Sequence, residues 1–277
     1  MVLARKCYNT LRAPAAGACR LPIVNMQPEP AKSRESRLAR NLKLLAQHPG
    51  LFITKVASWL RPMRADYRKL WGRGLRRWMI RYHKELLFDK VTWMGTPARK
   101  MVLDAWVYQQ IIHEVKPNFI IEIGNAEGGS TTFLANLLDL LGHGEVIAVD
   151  IDHSIFQAVH PRIHVITGDS LAEETLGKVA EIARGGRGMV IHDGDHSREH
   201  VLSDLRAYAQ FVGVGSYLIV EDTVIDLFRA GDGLGSVNGP LEAVEQFVRE
   251  DPRFQIDSSR EYFVITFNPR GYLKRVS

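Results

Sequence analysis

The sequence of 277 residues predicts an α/β fold with a mainly parallel sheet, preceded by a basic helical extension. The first indication is that short apolar runs alternate with amphipathic stretches of helical length after Pro97. Such alternation is typical of right-handed crossovers between parallel strands. The second is a pair of apolar runs after the last helix, which favours an antiparallel hairpin at the edge of a seven-stranded sheet.

The predicted elements follow one another in a regular order. Helices are expected over residues 101–115, 131–141, 173–183, 197–211 and 241–249. Strands are expected over residues 119–123, 145–149, 163–166, 188–191, 217–220, 254–256 and 262–267. The glycine-rich stretch 229–240 is expected to be a mobile loop.

Charge divides the chain into two parts. Residues 1–100 hold 22 Lys and Arg against 5 Asp and Glu, whereas the remainder holds 14 basic and 26 acidic residues. We interpret residues 1–45 as a flexible basic extension and 46–98 as an amphipathic helical segment that caps the substrate or contacts another subunit. Residues 99–277 form the predicted catalytic domain. The basic part is either a solvated helical surface or a surface for nucleic acid, anionic lipid or the acidic half of a second copy, and we expect a homo-oligomer.

Cysteine content and hydropathy limit the class of protein. Cys7 and Cys19 are the only cysteines, which excludes a disulfide framework or a cysteine metal site in the predicted catalytic domain and suits a reducing cytoplasm. The sequence has no apolar run of the roughly 18 residues that a membrane span needs. Residues 1–28 are compatible with a targeting peptide or a disordered extension.

A glycine-rich loop, Glu-Ile-Gly-Asn-Ala-Glu-Gly-Gly-Ser, occupies residues 122–130 directly after the first predicted strand. Glycine lets the backbone turn sharply and approach a ligand closely. Ser130 begins the next helix, whose free N–H groups favour a carboxylate or phosphate. Such a loop serves NAD, FAD and S-adenosylmethionine alike, although its spacing is not that of the dinucleotide motif.

Polar residues also end the second and third predicted strands. A carboxylate at Asp150 can accept both hydroxyls of an adenosine ribose, so the loop and Asp150 together indicate an adenosine-containing cofactor. Asp152 is a weaker candidate because it lies beyond the strand end. Asp169 and Ser170 either flank an adenine or form a tight turn before the next helix.

Carboxylates are concentrated at the ends of the fourth and fifth strands. Asp193 and Asp195 follow one strand and Glu221 and Asp222 follow the other, so they are expected to meet at one edge of the sheet. So much negative charge is costly unless a cation binds, and oxygen ligands without cysteine suit Mg²⁺ first, then Mn²⁺ or Ca²⁺. The alternative is that Asp195 caps the next helix while Glu221 and Asp222 are solvated.

The order of these motifs resembles the Mg²⁺-dependent catechol and caffeoyl-coenzyme-A O-methyltransferases. A longer resemblance, over about residues 90–277, is to the cephalosporin hydroxylase-like and rhamnosyl O-methyltransferase family. The motifs that carry it are Trp93-x-Gly95-x-Pro97-x2-Lys100-x3-Asp104-x-Trp106-x-Tyr108, Lys116-Pro117, the loop 122–130, Gly168-Asp169-Ser170, Asp193-x-Asp195-His196-Ser197, Glu221-Asp222-Thr223 and Asn268-Pro-Arg-Gly-Tyr-Leu-Lys.

The resemblance implies a Rossmann-like class I methyltransferase fold that uses S-adenosylmethionine and Mg²⁺ or Mn²⁺. The resemblance to the catechol and caffeoyl-coenzyme-A O-methyltransferases implies that Asp193, Glu221 and Asp222 hold the metal. In that group the general base, usually lysine, stands three residues after the first of these aspartates, where this chain has His196. With Asp193, His196 is therefore the expected catalytic residue. The implied cofactor-binding residues are Glu122, Gly124, Asn125, Gly128, Ser130, Asp150, Asp169, Ser170 and Asp193.

These residues lead to the hypothesis that one oxygen of a vicinal diol is methylated, most simply on a sugar of a natural product or glycolipid. A bound divalent ion lowers the pKa of a hydroxyl, and His196 can then take its proton. Trp93, Asp104 and Tyr108 are candidates to line the acceptor site, with core packing the alternative for the two aromatic residues. The competing hypotheses are a hydroxylase of the same family and a binding protein whose basic helices hold nucleic acid.

Overall fold

The computed structural model describes residues 46, 73–228 and 238–277. The predicted extension 1–45 lies outside these residues, as do residues 47–72 of the predicted helical segment and residues 229–237 of the glycine-rich loop. No helix among the described residues is long and apolar enough to cross a membrane.

The described part of the predicted helical segment begins with α1 (Arg73–Tyr82). A π-helical turn, His83–Leu87, follows it directly. Wide turns of this kind are rare and often occur at functional sites. A short antiparallel hairpin of β1 (Thr92–Trp93) and β2 (Thr96–Pro97) leads into the next part of the chain.

Seven further strands form one sheet. They are β3 (Phe119–Ile123), β4 (Glu145–Asp150), β5 (Ile163–Thr167), β6 (Gly188–His192), β7 (Tyr217–Val220), β8 (Phe254–Ile256) and β9 (Tyr272–Arg275). Their order is β5-β4-β3-β6-β7-β9-β8, with β9 antiparallel to both of its neighbours. The predicted seven-stranded sheet is thus confirmed. The strand order reverses at β3, and open sheets bind ligands at the strand ends beside such a point.

Helices cover both faces of the sheet. They are α2 (Val102–Val115), α3 (Gly129–Leu141), α4 (Glu173–Ala183), α5 (Arg198–Tyr208) and α6 (Pro240–Glu250). On one face Ile120 and Ile191 pack with residues of α2 and α3, and on the other Ile121 and Val190 pack with residues of α4, α5 and α6. Burial on both faces explains why the central strands are continuous apolar runs rather than alternating ones.

The terminal hairpin is confirmed, but its second strand is β9 and not the predicted 262–267. The apolar character of that stretch has a different cause, because Phe267 packs beside α1 in a small separate cluster with Met79, Tyr82 and Val224. Residues 262–268 therefore form turns that place α1 against the segment after β7. A short apolar run does not distinguish a strand from a loop that packs on a helix.

Asp104 joins α2 to the same loop. Its carboxylate is 3% exposed and accepts hydrogen bonds from the Thr266 hydroxyl (2.6 Å), the Phe267 backbone N–H (2.7 Å) and the Tyr272 hydroxyl (2.8 Å). Burial raises the pKa of Asp104 to about 6, although these three donors oppose the shift. The carboxylate therefore acts as a structural acceptor that fixes the loop before β9.

We expect Asp104→Ala to lower the free energy of unfolding by about 3–5 kcal/mol, because it removes the acceptor that three buried donors share. Urea denaturation followed by circular dichroism measures the loss. Asp89→Ala, at an exposed position before β1, serves as the control and should change stability by less than about 0.5 kcal/mol. Equal stability of the two variants would contradict a structural role for Asp104.

Candidate active site

A cleft of about 930 Å³ opens at the carboxyl ends of β3, β4, β5 and β6, and the π-helical turn contributes His83 and Leu87 to its wall. Nine of the residues predicted for the site line this cleft. They are Gly124, Asn125, Ser130, Asp150, Asp169, Ser170, Asp193, His196 and Asp222. The other three, Glu122, Gly128 and Glu221, lie behind its wall.

Gly124 allows β3 and β6 to end side by side. Its φ of +84° lies in the left-handed region. A Cβ atom at this position would lie 2.1 Å from the backbone oxygen of Asp193. The close approach therefore requires glycine, and it brings the glycine loop next to the acidic strand end.

The Glu122 side chain stabilises the glycine loop through hydrogen bonds. It is fully buried and accepts hydrogen bonds from the Thr131 hydroxyl (2.5 Å) and the Asn125 amide (3.0 Å) through Oε2. Gly128, with a φ of +85°, lies against Phe156 and Ala158, and a Cβ atom at this position would be 2.7 Å from the Phe156 ring. Both residues shape the loop rather than line the cleft.

Asp150 is oriented by the same loop. Its Oδ2 atom accepts the backbone N–H of Asn125 at 2.7 Å and that of Ala126 at 3.3 Å. Its Oδ1 atom accepts the N–H of Asp152 at 3.2 Å. Asp150 and Asp152 both line the cleft, so the choice between them for a ribose rests on placement at the strand end.

Ser170 is fixed by a buried network that the sequence analysis missed. The Ser170 hydroxyl donates to Asp204 Oδ1 at 2.7 Å, and His192 Nε2 is 2.8 Å from the other oxygen of that carboxylate. His192 and Asp204 are each 1% exposed. Two features of the sequence could have indicated this network. They are a histidine at the end of an apolar strand and an aspartate on the buried face of α5.

A lysine lies among the carboxylates. The Lys100 Nζ atom is 2.5 Å from Asp193 Oδ2, 2.8 Å from Glu221 Oε1 and 3.9 Å from Glu122 Oε1. Burial opposes its charge, but the carboxylates outweigh that effect and raise the pKa of Lys100 above its usual value. Glu221 is 6% exposed, which excludes the solvated alternative. Lys100 stands in one of the motifs of the family resemblance, but its type and spacing indicated no role for it.

On the side away from Lys100, the Asp193 carboxylate lies near His196 and Asp222. Asp193, Asp222 and His196 offer ligand atoms that lie within 4.8 Å of one another. His196 Nε2 is 3.4 Å from Asp222 Oδ2, too long for a strong hydrogen bond, and 3.8 Å from Asp193 Oδ1. Burial lowers the pKa of His196, but Asp222 and Asp193 outweigh it and raise that pKa to about 9.

Asp222 has an unusual backbone conformation. Its φ of +55° is left-handed, which is uncommon outside glycine. The Asp222 N–H donates to the side-chain oxygen of Asn268 at 3.1 Å, and the Thr223 hydroxyl donates to the Pro269 oxygen at 2.8 Å. The 268–271 turn thus holds the end of β7 in the conformation that directs Asp222 towards the cleft.

The three candidates for the acceptor wall lie outside the residues that line the cleft. Tyr108 is 1% exposed and accepts a hydrogen bond from Asn268, and Asp104 is part of the network before β9. The Trp93 ring N–H donates to Asn136 at 2.9 Å. Packing is therefore the role that the structure gives to Tyr108 and Trp93, and the assignment of Asp104 to the acceptor wall is wrong because its carboxylate is fully engaged inside the protein.

The family model described as Rhamnosyl O-methyltransferase/CmcI matches residues 85–276. The chain belongs to this family. The rhamnosyl O-methyltransferase of Mycobacterium leprae is 33% identical over 201 residues, covering 70% of this chain and 87% of that protein. The rhamnosyl O-methyltransferase of Mycobacterium tuberculosis H37Rv is 32% identical over 205 residues, covering 70% and 82%. Family membership makes the protein an S-adenosylmethionine-dependent O-methyltransferase.

Solved structures of CmcI share the fold. A structure described as CmcI with Mg and SAM has a TM-score of 0.53 at 23% identity, covering 69% of this chain and 78% of that one. An apo structure of CmcI has a TM-score of 0.52 at 24% identity, covering 68% and 76%. The predicted Rossmann-like class I methyltransferase fold is thereby confirmed.

We expect Gly124→Ala to abolish binding of S-adenosylmethionine and to destabilise the protein, because the new methyl group would overlap the Asp193 backbone oxygen. Gly177→Ala is the matched control, because Gly177 lies in α4 with open space around its Cβ position. It should be neutral or slightly stabilising. Calorimetry and thermal unfolding compare the two variants, and unchanged binding in Gly124→Ala would contradict the proposed packing of the loop.

We expect the stability of this family member in EDTA to depend on pH through His196. The folded-state pKa of about 9 exceeds the usual 6.5, so the stabilisation is present below pH 6.5 and is lost as pH rises through 9. The difference in free energy of unfolding between wild type and His196→Gln should therefore shrink across this interval. Urea denaturation at several pH values measures it, and a constant difference would contradict the assigned interactions.

Proposed function

We propose that the protein transfers the methyl group of S-adenosylmethionine to one hydroxyl of a sugar on a glycosylated small molecule, with a divalent ion at the site. The observation that carries this proposal is the convergence of the glycine loop and the acidic strand ends on one cleft. A rhamnosyl residue is the first acceptor to test, since curated relatives of this chain are named for it.

The residues in the cleft wall and directly behind it fit a divalent ion. Glu122, Asp193, Glu221 and Asp222 bring four carboxylates together, whereas Lys100 contributes one positive charge. Among the described residues, Glu122 Oε1 and His196 Nε2 are buried without a hydrogen-bond partner. A surplus of buried negative charge with hard oxygen donors favours Mg²⁺ or Mn²⁺. We assign Asp193, Glu221 and Asp222 as its ligands.

The same cleft fits the cofactor. Asp150 is held at the end of β4 with its carboxylate at the cleft wall, where it can accept the ribose hydroxyls. Asp169 and Ser170 lie at the end of β5 and suit the adenine edge. Ser130 opens α3, whose free N–H groups suit the carboxylate of the methionine part.

The chemistry is an in-line displacement in which an O–CH₃ bond forms as the S–CH₃ bond breaks. When bound, S-adenosylmethionine supplies the electrophilic methyl group, and the divalent ion lowers the pKa of the acceptor hydroxyl. His196 lies beside Asp193 and Asp222 at the cleft wall, and its Nε2 atom accepts the hydroxyl proton. Only the neutral imidazole ring can accept a proton. Because the nearby carboxylates favour the protonated ring, we expect His196 to act as a base when the charge of a bound divalent ion offsets them.

Transfer of a labelled methyl group to rhamnosides, in Mg²⁺ and in EDTA, tests the proposal. The expected product is heavier by one CH₂ group and forms only in Mg²⁺. A product heavier by one oxygen atom would favour the hydroxylase hypothesis, and the absence of S-adenosylmethionine binding by calorimetry would contradict the proposed function.

We expect Asp222→Asn to lower kcat/KM by at least about 100-fold while leaving the affinity for S-adenosylmethionine nearly unchanged, because it removes a metal ligand and keeps the residue's shape. Asparagine also tolerates the left-handed backbone at this position. Asp139→Asn, at a surface position on α3, is the control and should retain activity. Full activity of Asp222→Asn would contradict the metal assignment.

A further inference from the structure

We propose that Lys100 is an internal competitor of the divalent ion: its ammonium binds the expected metal ligands Asp193 and Glu221 in the metal-free protein and thereby sets the affinity of the site for the ion. This inference rests on the metal site of the proposed function and assigns a role to a residue that is not itself a ligand.

The position of the Lys100 ammonium carries the proposal. It contacts two of the three expected ligands, Asp193 at 2.5 Å and Glu221 at 2.8 Å. Lys100 is only 6% exposed, so solvent screens these contacts weakly. The ammonium is therefore a fixed positive charge inside the acidic cluster rather than a surface group near it.

The backbone around Lys100 is fixed by α1. The Tyr82 hydroxyl donates to the Lys100 carbonyl oxygen at 3.2 Å and accepts the Val102 N–H at 3.3 Å. Tyr82 is buried in the cluster that joins α1 to the segment after β7. The lysine side chain therefore extends into the acidic cluster from a backbone that is held on both sides.

The two oxygens of Asp193 face different groups. Oδ2 contacts Lys100, whereas Oδ1 lies 3.8 Å from His196 Nε2, and Asp222 offers a further oxygen to the same group of ligand atoms. A divalent ion at Asp193 and Asp222 therefore lies close to the ammonium, and the two cations repel each other. Engagement of Glu221 by the ion additionally requires that this carboxylate be shared with Lys100 or released by it.

The same contacts stabilise the protein without metal. Removal of the ammonium leaves the buried Glu122 and Glu221 and the partly exposed Asp193 together without a positive charge between them, which is strongly unfavourable. Lys100 thus has two opposite effects. It stabilises the metal-free fold, and it weakens the binding of the ion that would otherwise supply the compensating charge.

The test compares Lys100→Met with Lys178→Met, an exposed lysine on α4 that pairs only with Glu174 in the described structure. Mn²⁺ binding to each full-length protein is measured by electron paramagnetic resonance of the free ion, and thermal unfolding is measured in EDTA and in Mn²⁺. We expect Lys100→Met to bind Mn²⁺ at least about tenfold more tightly than wild type, to unfold at a lower temperature in EDTA and to be stabilised more by Mn²⁺. Lys178→Met should match wild type in all three measurements.

A folded Lys100→Met protein that binds Mn²⁺ as weakly as wild type, or more weakly, would overturn the proposal. The absence of Mn²⁺ binding in wild type and variant alike would overturn it too. Binding of S-adenosylmethionine, measured separately by calorimetry, tests the proposed function. If wild type does not bind S-adenosylmethionine while Lys100→Met binds Mn²⁺ more tightly than wild type, the result would contradict the proposed function and support the role of Lys100.

If Lys100→Met does not fold, a measurement on the wild-type protein tests the proposal instead. The ε-carbon of Lys100, in protein labelled with ¹³C-lysine and assigned by its absence from Lys100→Arg, gives a resonance that reports the surroundings of the ammonium. We expect it to shift as Mg²⁺ is added, with the same midpoint as metal binding. A resonance that stays unchanged while Mg²⁺ saturates the protein would overturn the proposal.

Discussion

The register of the parallel strands is the constraint on which the site depends. Ile123, His192 and Val220 stand side by side across β3, β6 and β7. Hydrogen bonding continues one residue beyond them, because the Asp193 N–H donates to Ile123 and the Glu221 N–H donates to His192. A slip of one residue would turn these side chains to the opposite face of the sheet and separate the carboxylates.

This register concentrates negative charge that must be compensated. Asp193 is central, because its carboxylate lies between Lys100 on one side and His196 with Asp222 on the other. Burial of so many charges costs stability unless cations are supplied. For the function that we propose, the surplus of oxygen donors beside the glycine loop supplies the ligands that a metal-assisted transfer to a hydroxyl requires. The residues that hold Asp222 and Gly124 in left-handed conformations serve the same convergence.

Much of the fold could be predicted from sequence because the parallel strands are buried on both faces and separated by amphipathic helices. The strand ends were then predictable as well, which is why nine site residues expected from the sequence line one cleft. The last strand was placed wrongly because residues 262–267 are apolar for another reason, packing beside α1. Periodicity over so few residues does not identify the packing partner.

The parts of the site that were missed depend on contacts between distant segments. Lys100 precedes the first central strand and reaches residues that follow β6 and β7. The buried pair of His192 and Asp204 likewise joins a strand to a helix. Spacing along the chain does not indicate that these particular residues meet, so only a three-dimensional structure gives Lys100 and Asp204 their roles.

A crystal structure of the full chain with S-adenosylhomocysteine and Mn²⁺ tests the central claim most directly, through anomalous scattering by the manganese. We expect an anomalous peak within coordination distance of Asp193 and Asp222, and the adenosine ribose bound at Asp150. A peak elsewhere, or a ligand outside the cleft at the ends of β3, β4 and β5, would contradict it.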